Sequence, residues 1–310
     1  MPSSPPALLP DVLKRALRRA SRALPSKAGN DAPAATPVGY RHPAVAGPAG
    51  RGQLMRAIEG LQPILEIGPF DRPMVQGPHV AYFDVLDQAG LREKAAVNPL
   101  RTGTVPHIDF VSPTGDLSVI DRRFAAACSA HCIEHQPDLI AHLADLGRLL
   151  EDGGLYVLAV PDKRYCFDHF IPQSSVADAI AARGNRLHTL QSVLNHKALA
   201  THNEVKRHWQ GDHENPGYRA GMPRRIAAAI AHFDAHQGEY IDAHAWRFTP
   251  QSFAEILSTL HATGFSPFAV ERVHETPEGR VEFVAILRKT APPRQPARPR
   301  PGAKPAATPD

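Results

Sequence analysis

The sequence is poor in thiols, has no long apolar run, and lacks a second glycine where its first strand-end glycine would lead one to look. Cys128, Cys132 and Cys166 are its three cysteines. They are odd in number and lie in or beside apolar segments, which suits buried thiols in a reducing compartment and argues against a disulfide framework. No apolar run approaches the roughly 20 residues that span a bilayer. The N-terminus also lacks the apolar core and cleavage site of a secretory signal, so a cytoplasmic location is expected. A zinc-protease helix is missing as well. His232 and His236 stand one helical turn apart, but Phe233 stands where H-E-x-x-H needs its Glu, Asp234 points off the shared face, and no cysteine pair accompanies them. No metal is therefore expected.

Acid is scarce at both ends. Residues 1–30 carry Lys14, Arg15, Arg18, Arg19, Arg22 and Lys27 against Asp11, and residues 291–310 carry Arg294, Arg298, Arg300 and Lys304 against Asp310. The formal charge of +4 is thus +5 and +3 at the ends and −4 between them. A basic isoelectric point describes the tails and argues against a nucleic-acid groove on the body.

What is present centres on Ile64-Leu65-Glu66-Ile67-Gly68-Pro69-Phe70-Asp71-Arg72-Pro73, a short apolar strand that breaks into a loop. This is the pattern of a first parallel strand whose carboxyl end opens into a ligand crevice. A dinucleotide would need G-x-G-x-x-G for close approach of backbone to pyrophosphate. Phe70 and Pro73 stand where the second and third glycines would be, so phosphate binding is disfavoured. Glu66 is an acid in an apolar run and must find hydrogen-bond partners at the strand end. The next strand, Val80-Ala81-Tyr82-Phe83-Asp84, ends in a carboxylate able to accept from both hydroxyls of a ribose.

The order of motifs adds to this. Leu65-Glu66-Ile67-Gly68-Pro69, Tyr82-Phe83-Asp84, Ser129-Ala130-His131-Cys132-Ile133-Glu134-His135, Leu149-Leu150-Glu151-Asp152-Gly153-Gly154 and Val160-Pro161-Asp162 follow one another. In this order they resemble the class I S-adenosylmethionine-dependent methyltransferases, most closely the bacterial type 11-like branch, over about residues 50–165 and again over 240–290. The resemblance implies an α/β, Rossmann-like fold: a seven-stranded, mostly parallel sheet with an antiparallel last strand and a helical lid inserted after strand five. It implies S-adenosylmethionine as cofactor, held by Glu66, Gly68, Pro69, Phe70, Asp84, Val85, Asp116, Leu117 and Ala130. Asp116 is the candidate for the adenine amine, with a plain turn residue beside Gly115 as the other reading.

Along the chain, residues 1–50 form a Pro/Ala-rich arm interrupted by a short basic amphipathic helix from Leu9 to Leu24. That helix reads as an anchor to anionic lipid or to a partner protein, as a helix packed on its own domain, or as an organellar presequence. Residues 51–165 are the cofactor-binding core, 166–240 a lid of short helices, 241–290 the remainder of the core, and 291–310 a basic tail without apolar anchors, expected to be disordered. Helices are expected at 51–60, 87–95, 138–150, 176–182, 187–199, 222–236 and 250–260; later strands are expected at 107–111, 124–132, 155–160, 268–273 and 281–287. Gly153-Gly154 is expected to close the helix before the fifth strand.

His131, at the end of the fourth strand, is the candidate general base; the alternative is a histidine that only orients its loop. His135 reads as a cap or supporting residue. Asp162, Lys163, Arg164 and Tyr165 follow the fifth strand and are the candidates for contact with the acceptor, joined by Asp242 and His244, whose side chains alternate on an extended segment and point the same way. The reaction expected is O-methylation of a sugar or cell-envelope glycan precursor. The alternatives are a small-molecule N- or O-methyltransferase and a noncatalytic binding protein of the same fold.

Overall fold

The computed structural model describes residues 43–98 and 103–290. The amphipathic helix of the arm and the basic tail lie outside the described residues. Seven strands form one sheet: β1 (Ile64–Ile67), β2 (Val80–Asp84), β3 (Phe110–Val111), β4 (Phe124–Ala130), β5 (Leu150–Pro161), β6 (Phe268–Val273) and β7 (Glu282–Lys289). Their order is β3-β2-β1-β4-β5-β7-β6. The first five are mutually parallel, while β7 runs antiparallel to both β5 and β6.

Burial on both faces explains the composition of the central strands. Along β5, Leu155, Val157 and Ala159 enter the apolar layer beneath helix α1 (Arg51–Ile58), and Tyr156, Leu158 and Val160 enter the larger layer on the other face. Both sides of a parallel strand are covered, so the segment reads as an unbroken apolar run. The larger layer holds α3 (Leu139–Leu149) and α8 (Pro250–Ala262), with Leu139, Leu143, Leu146, Phe253, Leu257 and Leu260 fully buried. Helix α2 (Gln88–Ala96) follows β2.

Capping decides where these helices start. Asp87, Asp138 and Thr249 accept from the backbone N–H of Gly90, Ala141 and Ser252, and Pro250 occupies the first turn of α8, where no N–H is needed. Between β5 and α8 lie the short helices α4 (Val176–Ala181), α5 (Leu190–Ala198), α6 (Val205–Trp209) and α7 (Met222–Ala235). Thr189 caps α5, so it begins three residues later than its apolar pattern suggests, and α6 has no counterpart in the sequence reading.

Three further expectations are corrected. The third strand is only Phe110–Val111, because the stretch before it is loop rather than paired backbone. The fourth stops at Ala130, where His131 turns to φ 55. Gly153-Gly154 lies within β5 instead of closing α3: the helix ends at Leu149 and the strand begins at once, with Leu150 paired to Phe124. Residues 43–50 run along the sheet edge, with Ala46 bonded to Val273 and Glu275. Among the described residues no helix is long and apolar enough to cross a membrane.

Candidate active site

The carboxyl ends of β1, β2 and β4 open onto a crevice of about 1190 Å³, whose walls include Gly68–Phe70, Asp84–Val85, Ala130–Cys132, Glu134–Gln136, Cys166–Phe167, Asp242 and His244. This is the place where open parallel sheets bind ligands, at the switch in strand order between β1 and β4.

The loop after β1 is held from below. Glu66 is buried, and its two carboxylate oxygens accept from the N–H groups of Met74 and Val75 at 2.7 and 3.0 Å. Burial raises its pKa to about 7 against the pull of those two donors. Tyr82 donates to the Val75 carbonyl at 2.7 Å and ties down the same turn. Gly68 has φ 68, and a Cβ there would collide with Cys132 Sγ. The thiol in turn lies 3.3 Å from the carbonyls of Ile67 and Ala130, so it joins the ends of β1 and β4. Burial keeps Cys132 protonated, well above the usual thiol range.

Asp84 closes the next strand. Its Oδ1 accepts from Val85 N at 2.7 Å and from Leu86 N at 3.4 Å. Oδ2 has no hydrogen-bond partner among the described residues. Burial raises this carboxyl above its ordinary range, and the two N–H groups lower it in part. Lys94 lies 5.8 Å from the Phe70 ring centroid and bonds Asp242 at 2.9 Å, so it spans the mouth from the loop to the opposite wall.

His131 has left-handed backbone, a conformation that costs a non-glycine residue about 1 kcal/mol, and its N–H donates to Ala159 O. This turn carries the imidazole to Glu282 at the start of β7, with Nε2 2.7 Å from Oε2. Arg51, the first residue of α1, grips the same carboxylate with two bonds of 2.7 and 2.8 Å. Burial alone would raise the Glu282 pKa, yet the bonds from Arg51 and His131 bring it down to about 2. Glu282 and Arg51 were missed in the sequence. They lie 231 residues apart, and only the pairing of β7 with β5 brings them to His131.

The far wall is a cluster of acids and histidines. Glu134 is fully buried on the 3-10 turn Ile133–His135, and its carbonyl accepts from Ala245 N and Trp246 N, which draws the 242–246 segment over it. His135 Nδ1 lies 2.9 Å from Asp242 Oδ1, and His244 Nδ1 lies 2.5 Å from Asp168 Oδ2. His244 N donates to His196 Nδ1 of α5 at 3.2 Å. The His135 ring beside it and the neighbouring Lys94 ammonium hold Asp242 well below the usual carboxylate range, against burial. Asp242 and His244 therefore share a wall as their alternation suggests, each with a different partner.

Several other sequence candidates are placed elsewhere. Asp116 is exposed, and its Oδ1 caps the 3-10 turn Leu117–Val119 through Ser118 N at 2.8 Å; Gly115 lines the crevice in its stead. Leu117 lies in the core beneath. Asp162, Lys163, Arg164 and Tyr165 do not line the crevice. Asp162 is fully buried and accepts from Arg164 and from Thr276 Oγ1, Arg164 also binds Glu275, Lys163 bonds His169 O, and Tyr165 stacks on Trp209 at 3.9 Å. The strand end turns these four side chains away and presents Cys166 and Phe167. The rings of His232 of α7 and of His236, which caps it, have centroids 4.3 Å apart, and the His236 ring bonds the His232 carbonyl.

The sheet order, with a last strand inserted antiparallel between the fifth and sixth, decides the architecture. This is the class I methyltransferase fold. No protein-family model and no curated protein matches the chain. Among solved structures, a SAM-dependent methyltransferase from Methanosarcina mazei is 17% identical at TM-score 0.37, with 77% of this chain and 97% of that chain covered. The carbon methyltransferase CurJ is 12% identical at TM-score 0.35, with 77% and 52% covered. The glycopeptide N-methyltransferase MtfA is 21% identical at TM-score 0.27, with 36% and 52% covered. The chain thus spans about half the length of CurJ and of MtfA. The fold assignment stands on strand order and direction.

Proposed function

We propose that the protein is an S-adenosylmethionine-dependent methyltransferase acting on a hydroxyl of a sugar or glycan precursor. The observation that carries this reading is Asp84: a carboxylate at the end of β2 with one oxygen fixed by backbone N–H groups and Oδ2 facing a crevice that has no glycine-rich phosphate cradle. The residues present fit the cofactor. Asp84 Oδ2 would accept from the ribose hydroxyls, the Gly68–Phe70 backbone would border the amino-acid end, and Val85, Gly115 and Ala130 would flank the rest.

The cofactor supplies an electrophilic methyl group on a sulfonium that leaves as a neutral thioether. The protein's part is to align the acceptor and to take its proton. His131 is suited to taking the proton, because Nε2 faces Glu282 and Nδ1 is left to accept from an attacking hydroxyl while the new C–O bond forms and the S–C bond breaks. Other polar side chains that border the crevice, His196, Asn203 and Tyr240 among them, offer a polyhydroxylated acceptor hydrogen-bond partners, which favours a sugar over an apolar ring.

Calorimetric titration with S-adenosylmethionine and S-adenosylhomocysteine tests the cofactor. Micromolar binding that weakens at least tenfold in Asp84→Ala is expected. A wild-type protein that binds neither compound, or binds them unchanged in Asp84→Ala, overturns the reading.

A further inference from the structure

The far wall holds an arrangement that methyl transfer does not require. Glu134 is completely buried, yet neither carboxylate oxygen has a hydrogen-bond partner among the described residues. A carboxylate in that state costs several kcal/mol unless a cation compensates it. Two imidazoles face it. His135 Nε2 and His244 Nε2 lie 3.7 and 3.9 Å from the same oxygen, Glu134 Oε1. Both distances are too long for a hydrogen bond. They lie close to the separation of about 3.4 Å between two ligands of one tetrahedral ion with bonds near 2.1 Å.

The opposite ring nitrogens complete the pattern. His244 Nδ1 bonds Asp168, which turns its Nε2 toward Glu134; His135 Nδ1 lies 2.9 Å from Asp242 Oδ1 without hydrogen-bond alignment, a charge contact behind a ring whose Nε2 also faces Glu134. A carboxylate behind an imidazole fixes the tautomer with a lone pair on the other nitrogen and raises its basicity, which is how ligating histidines are commonly held. The two rings meet edge to face with centroids 4.7 Å apart, and the three prospective ligand atoms lie within 4.8 Å of one another. All three residues border the crevice, so positions beyond the protein ligands open toward the acceptor side.

We propose that Glu134, His135 and His244 bind one divalent transition-metal ion, with Asp242 and Asp168 as supporting carboxylates. Two imidazoles and one carboxylate suit zinc, manganese, iron(II), cobalt or nickel better than magnesium or calcium, which take oxygen ligands. The site keeps coordination positions open to the crevice. On the methyltransferase reading, these are where an acceptor hydroxyl binds and becomes more acidic before His131 takes its proton.

The test uses the full-length protein, stripped with chelator and titrated with cobalt(II) and zinc(II). Cobalt absorption in the visible and zinc calorimetry are expected to show one ion per chain with micromolar affinity or tighter. Affinity is expected to fall at least 100-fold in His135→Ala and in His244→Ala, and 10- to 100-fold in Asp242→Asn. The variants' circular dichroism at 25 °C reports whether they remain folded, and Glu134→Gln, which keeps the volume, serves if an alanine variant does not. His169→Ala is the control for the lid cluster of His169, His208 and His213, whose ring nitrogens also converge. Absence of binding, or binding lost in His169→Ala and kept in His135→Ala and His244→Ala, overturns the proposal. Titration of the same stripped protein with S-adenosylhomocysteine separates the two readings. Metal bound without it leaves the site standing and sinks the cofactor assignment; the converse does the reverse.

Discussion

Single side chains set the closeness of the loop after β1 to the sheet. Gly68 is irreplaceable on two grounds, its left-handed φ and the Cys132 sulfur where a side chain would begin. Gly68→Ala is expected to lower the melting temperature and to weaken S-adenosylhomocysteine binding at least tenfold; adding Cys132→Ala restores part of the stability, because it removes the collision but not the φ strain. His131→Gln keeps the polar contact to Glu282 and is expected to lower turnover 10²- to 10⁴-fold with cofactor affinity unchanged. His142 carries a pH prediction. It is buried on α3 beside Tyr156, and burial depresses its pKa from 6.5 to about 4. The unfolded chain takes up this proton near 6.5 while the folded chain resists until about 4, so stability present above the upper value is lost as pH falls through that window, by roughly 3 kcal/mol in all. His142→Leu removes that contribution. Denaturant melts at pH 7 and pH 4.5 are expected to show a difference between wild type and variant that shifts by about 2 kcal/mol in the variant's favour on acidification. A constant difference contradicts the assignment. Histidines between β5 and α8, common to both proteins, cancel.

At the scale of elements, legibility followed the range of the interaction. Strand β5 and the helices α3 and α8 could be read because their periodicity is local, and so is what starts them: the caps at Asp87, Asp138 and Thr249 each hold a donor three residues away. The Asp162–Tyr165 segment could not. Its charges read as an acceptor site; Asp162 holds Arg164 locally, but the groups that complete the clamp, Glu275 and Thr276, lie 111 and 114 residues away from their partners. The segment is a half-buried clamp, with Asp162 at its buried end, between β5 and the turn before β7. Arg164→Met is therefore expected to destabilise the fold by roughly 1–2 kcal/mol, since Arg164 is partly exposed and Thr276 still donates to the buried Asp162 carboxylate, while cofactor affinity stays within threefold. The same range limit hid Glu282 and Arg51 from His131, and Asp168 from His244. What pointed to the far wall in the sequence was local: Glu134 and His135 beside a strand end, and Asp242 and His244 two residues apart.

At the scale of the whole molecule, the sheet is assembled out of chain order. Its last strand, β7, is inserted between β5 and β6, and Glu282 at its start completes the Arg51–Glu282–His131 wall. A chain emerging from the ribosome therefore exhibits β5 with an open edge along Leu155–Pro161 until residues 282–289 are available. During that interval the nascent protein carries the loop after β1 but lacks the Glu282 part of its crevice wall, and its exposed strand edge is a template for mispairing. Synthesis arrested before residue 282 is expected to yield chains that aggregate and bind no cofactor. Vectorial folding thus makes ligand competence one of the last properties the chain acquires.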